Sequence, residues 1–237
     1  MKITTCIHLS PTFFLVFLLK YIMADNLTPS ELIDAITSFL RVIIEQLWYQ
    51  IEVYPRESFD SCIFYDLEVK TTRHPLVKAY LDEFINSITN LFNDGIISKI
   101  YLEIFENNSL KYSFGISFNN SLILDQLRND SQFLKSDKSN DLFNTFTIVN
   151  ELKSLLYSVI VESSKLSKIE QNFGDFKLLL ATTEDEMVSR NQNWILDKRL
   201  KQQTADDEST LNDVDLYPLK EVHLEYINIQ GYIVSYK

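Results

Sequence analysis

From Leu32 onward the apolar residues Leu32, Ile33, Ile36, Phe39, Leu40, Ile43, Ile44 and Leu47 recur in steps of three and four, which predicts a helix packed along one face. Thr28-Pro29-Ser30-Glu31 supplies its start: a cap, a proline in the first turn and an early acidic side chain. The helix is expected to reach Tyr54 and to end at Pro55, which gives no hydrogen bond to the preceding turn. A short strand over residues 63–69 follows. His74-Pro75 opens a second helix with Leu76, Tyr80, Leu81, Phe84, Ile85 and Ile88 on its inner face, stopping near Asn93-Asp94-Gly95.

The period then changes from helical to alternating. Residues 100–105 and 110–118 flank Glu106-Asn107-Asn108-Ser109 and predict an antiparallel hairpin at the centre of a sheet. Residues 119–140 are rich in Asn, Asp, Ser and Lys and read as a polar insertion. A third helix over 142–163 carries apolar residues on much of its circumference, which marks it as the central helix, and Phe176-Lys177-Leu178-Leu179-Leu180-Ala181-Thr182 reads as a buried strand. Between Gln202 and Tyr217 lie five acidic residues and no basic one, a solvated loop. Segments 221–228 and 230–235 are strand-like, with Gly231 a permissive break. The order predicts an α+β domain, its helices massed on one side of a largely antiparallel sheet.

Composition narrows the chemistry. The 237 residues are 46% apolar and 13% aromatic, enough for one large core, and the net charge of −11 disfavours direct tracking of a phosphate backbone. Four glycines cannot build a phosphate-cradling or dinucleotide-binding loop, and His8, His74 and His223 are too scattered for a metal site. His74 has a structural role available as the cap ahead of Pro75. No nucleophile elbow is present, and Cys6 and Cys62 are too few for a disulfide framework, which suits a reducing compartment. Lys2 and the run Phe13-Phe14-Leu15-Val16-Phe17-Leu18-Leu19 resemble part of a signal peptide, but no small-x-small cleavage site follows, and the run is shorter than the roughly 20 residues that span a bilayer. Met23 offers a second start. The domain is therefore taken as 23–237, with 1–22 an apolar extension that initiation at Met23 would omit.

The succession Ile51-Glu52-Val53-Tyr54-Pro55, then Phe64-Tyr65-Asp66-Leu67-Glu68-Val69-Lys70-Thr71-Thr72-Arg73-His74-Pro75, then Leu76 to Ile85 resembles the opening of a HORMA domain. It is most similar to the HORMA-family accessory subunit of DNA polymerase zeta, in which a Tyr-Pro pair ends the first helix and a His-Pro pair starts the second. The resemblance covers residues 27–236 with interruptions. It implies a non-catalytic nuclear adaptor for translesion synthesis that clasps a proline-containing peptide of the polymerase zeta catalytic subunit under a C-terminal safety belt, here about 184–237.

On that resemblance the peptide pocket would use Tyr80, Trp194 and Leu196; taken alone, Tyr80 and Trp194 read more simply as core aromatics. A second surface, Leu216 with Gln230 and Tyr232, would bind a translesion scaffold polymerase of the Rev-one type. Gly231 departs from the bulkier residue of the relatives, and the tail after Tyr236 is truncated. The basic residue of the third helix that supports HORMA dimers has Lys153 and Ser154 near its place, leaving a dimer open. The resemblance also admits a spindle-checkpoint or meiotic HORMA adaptor with other ligands.

Overall fold

The structure, a computed structural model, describes residues 26–118, 121–129, 143–170, 174–183, 214–224 and 226–237. Helix α1 (Pro29–Ile51) starts at a complete capping box: the Glu31 backbone N–H donates to Thr28 Oγ1 at 3.3 Å, and the Thr28 N–H donates to the Glu31 carboxylate at 3.0 Å. It ends three residues before the expected Tyr54, because Glu52 takes the left-handed conformation (φ 59°) that closes the last turn.

Sixteen of its residues are buried, so this helix, rather than the one expected over 142–163, is the central one. The reason is its surroundings: α1 packs on α2 (Pro75–Asn93), on α4 (Thr145–Ser163) and on strand β2 (Leu67–Thr72). Helix α4 is more peripheral, with Phe146 77% exposed and Tyr157 also turned to solvent.

Residues 63–69 are not a single strand. β1 (Phe59–Phe64) and β2 form an antiparallel hairpin that turns at Tyr65-Asp66, both with positive φ (48° and 59°). No glycine or asparagine announces this turn; the Tyr65 ring is buried against Phe64 at 4.1 Å, and that packing offsets the backbone cost. Two side chains of α1 fasten the hairpin to the helix. Gln46 Oε1 accepts the Lys70 backbone N–H at 3.1 Å, and Glu45 Oε1 accepts that of Thr72 at 3.0 Å.

The main sheet is antiparallel throughout its named strands. Strands β3 (Ile97–Glu106) and β4 (Ser109–Ser117) form the expected central hairpin, turning at Asn107 and Asn108, both left-handed. β5 (Gly174–Thr182) pairs with β3, and β8 (Asn228–Tyr236) pairs with β4 and carries β6 (Val214–Pro218) on its far side, giving the order β5-β3-β4-β8-β6; β7 (Val222–His223) also pairs with β8. Ile100, Leu102, Ile104, Phe114, Ile116, Leu178 and Ile233 join the core formed with the helices.

Further details differ from the sequence expectation. Residues 214–218, expected to lie largely in the solvated loop, form β6, and the strand expected over 221–228 is reduced to β7 before β8 begins at Asn228. Residues 122–129 of the polar insertion form helix α3 (Leu122–Asn129), which buries Ile123, Leu124 and Leu127. It lies so close to the end of α2 that a Cβ at Gly95 (φ +68°) would stand 2.3 Å from the Leu124 carbonyl oxygen. Gly231 lies within β8 rather than breaking it, and among the described residues β5 stands at the edge of the sheet, mostly half-buried.

Candidate functional site

Helix α2 starts at His74-Pro75 as expected, although the His74 side chain makes no capping hydrogen bond. Its buried face is Leu81, Phe84, Ile88 and Phe92. Leu76 and Tyr80, expected inside, lie on the outer side at 75% and 46% exposure. One helical turn apart, they form a ridge on the same face. The helix is held to α1 through Asp82, which accepts from Arg41 Nη1, while Arg41 Nε lies 3.8 Å from Glu45 Oε2. Burial outweighs Arg41 and the Thr72 N–H and pushes the Glu45 carboxyl up to about 7.

Tyr80 meets the edge strand. Its ring stands edge-on to Phe176 of β5, with centroids 5.8 Å apart, and Phe176 in turn contacts Trp48 at 4.7 Å and Tyr54 at 6.2 Å. Trp48 and Tyr54 close the group edge-on at 5.7 Å. Four aromatic residues from the end of α1, the loop after it, α2 and β5 therefore meet at one edge of the sheet. Burial raises the pKa of both Tyr54 and Tyr80, so each hydroxyl stays protonated and able to donate at neutral pH. Trp48 Nε1 is buried without a hydrogen-bond partner.

Beside this cluster runs the outer side of β5. Phe176, Leu178 and Leu180 sit opposite Ile104, Leu102 and Ile100 of β3, and among the described residues β5 pairs with no other strand. The residue types on this edge can accept an extended chain by main-chain pairing, with flat aromatic faces at one end for apolar or proline side chains. Of the three pocket residues expected, Tyr80 lies here; Trp194 and Leu196 fall outside the described residues. Phe176, Tyr54 and Trp48 were not read as site residues. Tyr54 stood in the Tyr-Pro pair and Phe176 at the head of an apolar strand, but only long-range pairing of β5 brings them together.

The second predicted surface assembles at the opposite end of the sheet. Leu216 of β6 is paired with Val234 of β8, and Pro218 with Tyr232. Strand alternation puts Gln230, Tyr232 and Val234 on the face away from buried Ile229 and Ile233, and Leu216 and Pro218 share that face. Leu216 is 63% exposed and Gln230 is exposed, whereas Tyr232 is only half-exposed. The three predicted residues thus share one surface. Lys153 and Ser154 lie on the outer side of α4, lining an open cavity of about 740 Å³ with Tyr157, Leu67 and Lys220.

Among the described residues no three His, Cys, Asp or Glu side chains gather as metal ligands, and no helix is long and apolar enough to cross a membrane. No family model matches the sequence, and no curated protein matches it. The fold does match solved structures. A chain in the crystal structure of the mitotic checkpoint complex superposes with a TM-score of 0.65 at 14% identity, over 86% of this chain and 98% of that one. C. elegans HTP-2, solved bound to the HIM-3 closure motif, gives 0.61 at 13% identity over 90% and 92%. C. elegans HTP-1, also with the HIM-3 closure motif, gives 0.60 at 14% over 90% and 92%. At these identities the likeness is one of architecture.

Proposed function

We propose that this chain, whose α+β architecture is that of a HORMA domain, is a non-catalytic adaptor that captures an extended peptide of a partner protein along β5. The observation that carries the reading is the edge strand itself, apolar along Leu178-Leu179-Leu180-Ala181 and capped by the Tyr80–Phe176 step. A peptide added there gains affinity from main-chain pairing that makes little demand on its sequence. Its selectivity comes from the aromatic cluster, where a proline ring fits against Tyr80 and Phe176.

The partner proposed is the catalytic subunit of DNA polymerase zeta, with the Leu216, Gln230 and Tyr232 surface bridging to the Rev-one-type scaffold, in the nucleus. The support is the Tyr54-Pro55 and His74-Pro75 spacing and the Trp194-x-Leu196 triplet. The acidic net charge of −11 suits a chain that meets nucleic acid through its partner rather than directly. A checkpoint or meiotic adaptor is the competing reading, favoured by likeness to the checkpoint-complex and HTP chains.

Copurification of the full chain with segments of the same organism's polymerase zeta catalytic subunit tests the choice, with a checkpoint-type ligand and a meiotic closure motif as competitors. Capture of a polymerase segment, lost on Phe176→Ala, is the expected result. Capture of a competitor alone would move the function to mitosis or meiosis, and capture of none would remove the clasp.

A further inference from the structure

We infer that Tyr232 is a register key that seats the terminal strands on the β4 edge, with Gly115 as its slot. In the β8–β4 register Tyr232 lies opposite Gly115, and in the β3–β4 register Gly115 lies opposite Tyr101. The Tyr232 ring lies directly over Gly115. A Cβ there would stand 2.6 Å from its Cζ and 2.8 Å from its Oη, closer than any side-chain atom tolerates. The ring reaches across β4 toward Tyr101, which lies beyond Gly115 in the register of the three strands.

This arrangement discriminates between alternatives. A one-residue slip of β8 would turn Tyr232 to the core face. A two-residue slip would set it opposite Ser113 or Ser117, each of which carries the Cβ that Gly115 lacks. At the other end of the sheet, the residue of β5 opposite Tyr101 is Leu179. A strand docked there would meet a leucine side chain where β8 meets bare backbone. The slot therefore favours the β4 edge for the terminal strands and holds Leu216 and Gln230 in their places, and it assigns Tyr232 and Gly115 a positioning role. The key does not depend on the peptide-clasp reading.

Backbone hydrogen exchange of residues 230–235 in the full chain tests it. In Gly115→Ala these amides are expected to exchange at least about tenfold faster than in the unmodified chain. Adding Tyr232→Ala should abolish the extra loss, so that the double variant exchanges like Tyr232→Ala alone. If Gly115→Ala fails to fold, the double variant should fold. Unchanged exchange in Gly115→Ala, or a double variant no better than Gly115→Ala, would overturn the key and leave Gly115 as a matter of backbone conformation.

Discussion

The two ends of the main sheet are built on opposite plans. At one end stands β6, five residues long, with Asp215 paired to Lys237 at 3.2 Å and Pro218 closing the strand. Short length, charge and proline are the devices that keep an edge from recruiting further strands. At the other end stands β5, nine residues with four consecutive apolar side chains and no proline, its Phe176 in contact with Tyr80 and Tyr54. The contrast teaches that the β6 edge is protected against pairing and the β5 edge is suited to it. The exposed side chains at the β6 end, Leu216 and Gln230, present a face rather than an edge.

If the β5 edge is the capture site, Phe176→Ala should have the largest effect, since its ring touches Trp48, Tyr54 and Tyr80 together. A loss of about 3 kcal/mol in peptide affinity, over a hundredfold in Kd, is expected by titration calorimetry. Tyr80→Ala should cost about 2 kcal/mol of affinity while leaving the melting temperature within a few degrees, because the side chain is 46% exposed. Wild-type affinity in a folded Tyr80 variant would remove α2 from the site.

A third test separates positioning from contact. Glu45 helps place α2 and β2, and its folded pKa of about 7 exceeds its ordinary value of 4.5. Between those values the folded state holds the extra proton, so Glu45's contribution to stability is fullest below pH 4.5 and is lost as pH rises through 7. Glu45→Gln should therefore gain stability relative to the unmodified chain by roughly 1 kcal/mol between pH 6 and pH 8. Thermal unfolding at the two pH values reads this difference, and a pH-independent gap would show that the carboxyl titrates normally. The smallest effect belongs to the protected end. Leu216→Ala should change stability by less than about 0.5 kcal/mol and leave β5 capture intact while weakening the scaffold. Loss of both activities would mean that the two ends are not independent.

The sequence carried much of this architecture because local signals and tertiary packing agree in it. The capping box at Thr28, the His74-Pro75 start and the Asn107-Asn108 turn are encoded by adjacent residues, and each appears where expected. Elements whose reasons lie elsewhere in the chain were hidden. The β1–β2 turn uses Tyr65 and Asp66 because the buried Tyr65 ring compensates, and α3 is a helix because three apolar residues in a polar stretch find a surface to cover. The centrality of α1 over α4 depends on which neighbours surround it, which periodicity does not report. In the candidate site the helical period placed Tyr80 on the inner face, and only the resemblance singled it out, whereas Phe176 and Trp48 became visible only once β5 was paired with β3.

The most direct test of the β5 edge is residue-resolved amide exchange of the full chain with and without a bound partner peptide. The account predicts new protection concentrated in residues 175–181, with little change in residues 214–218. Protection confined to the β6 end or to the outer face of α4, with β5 unchanged, would contradict it.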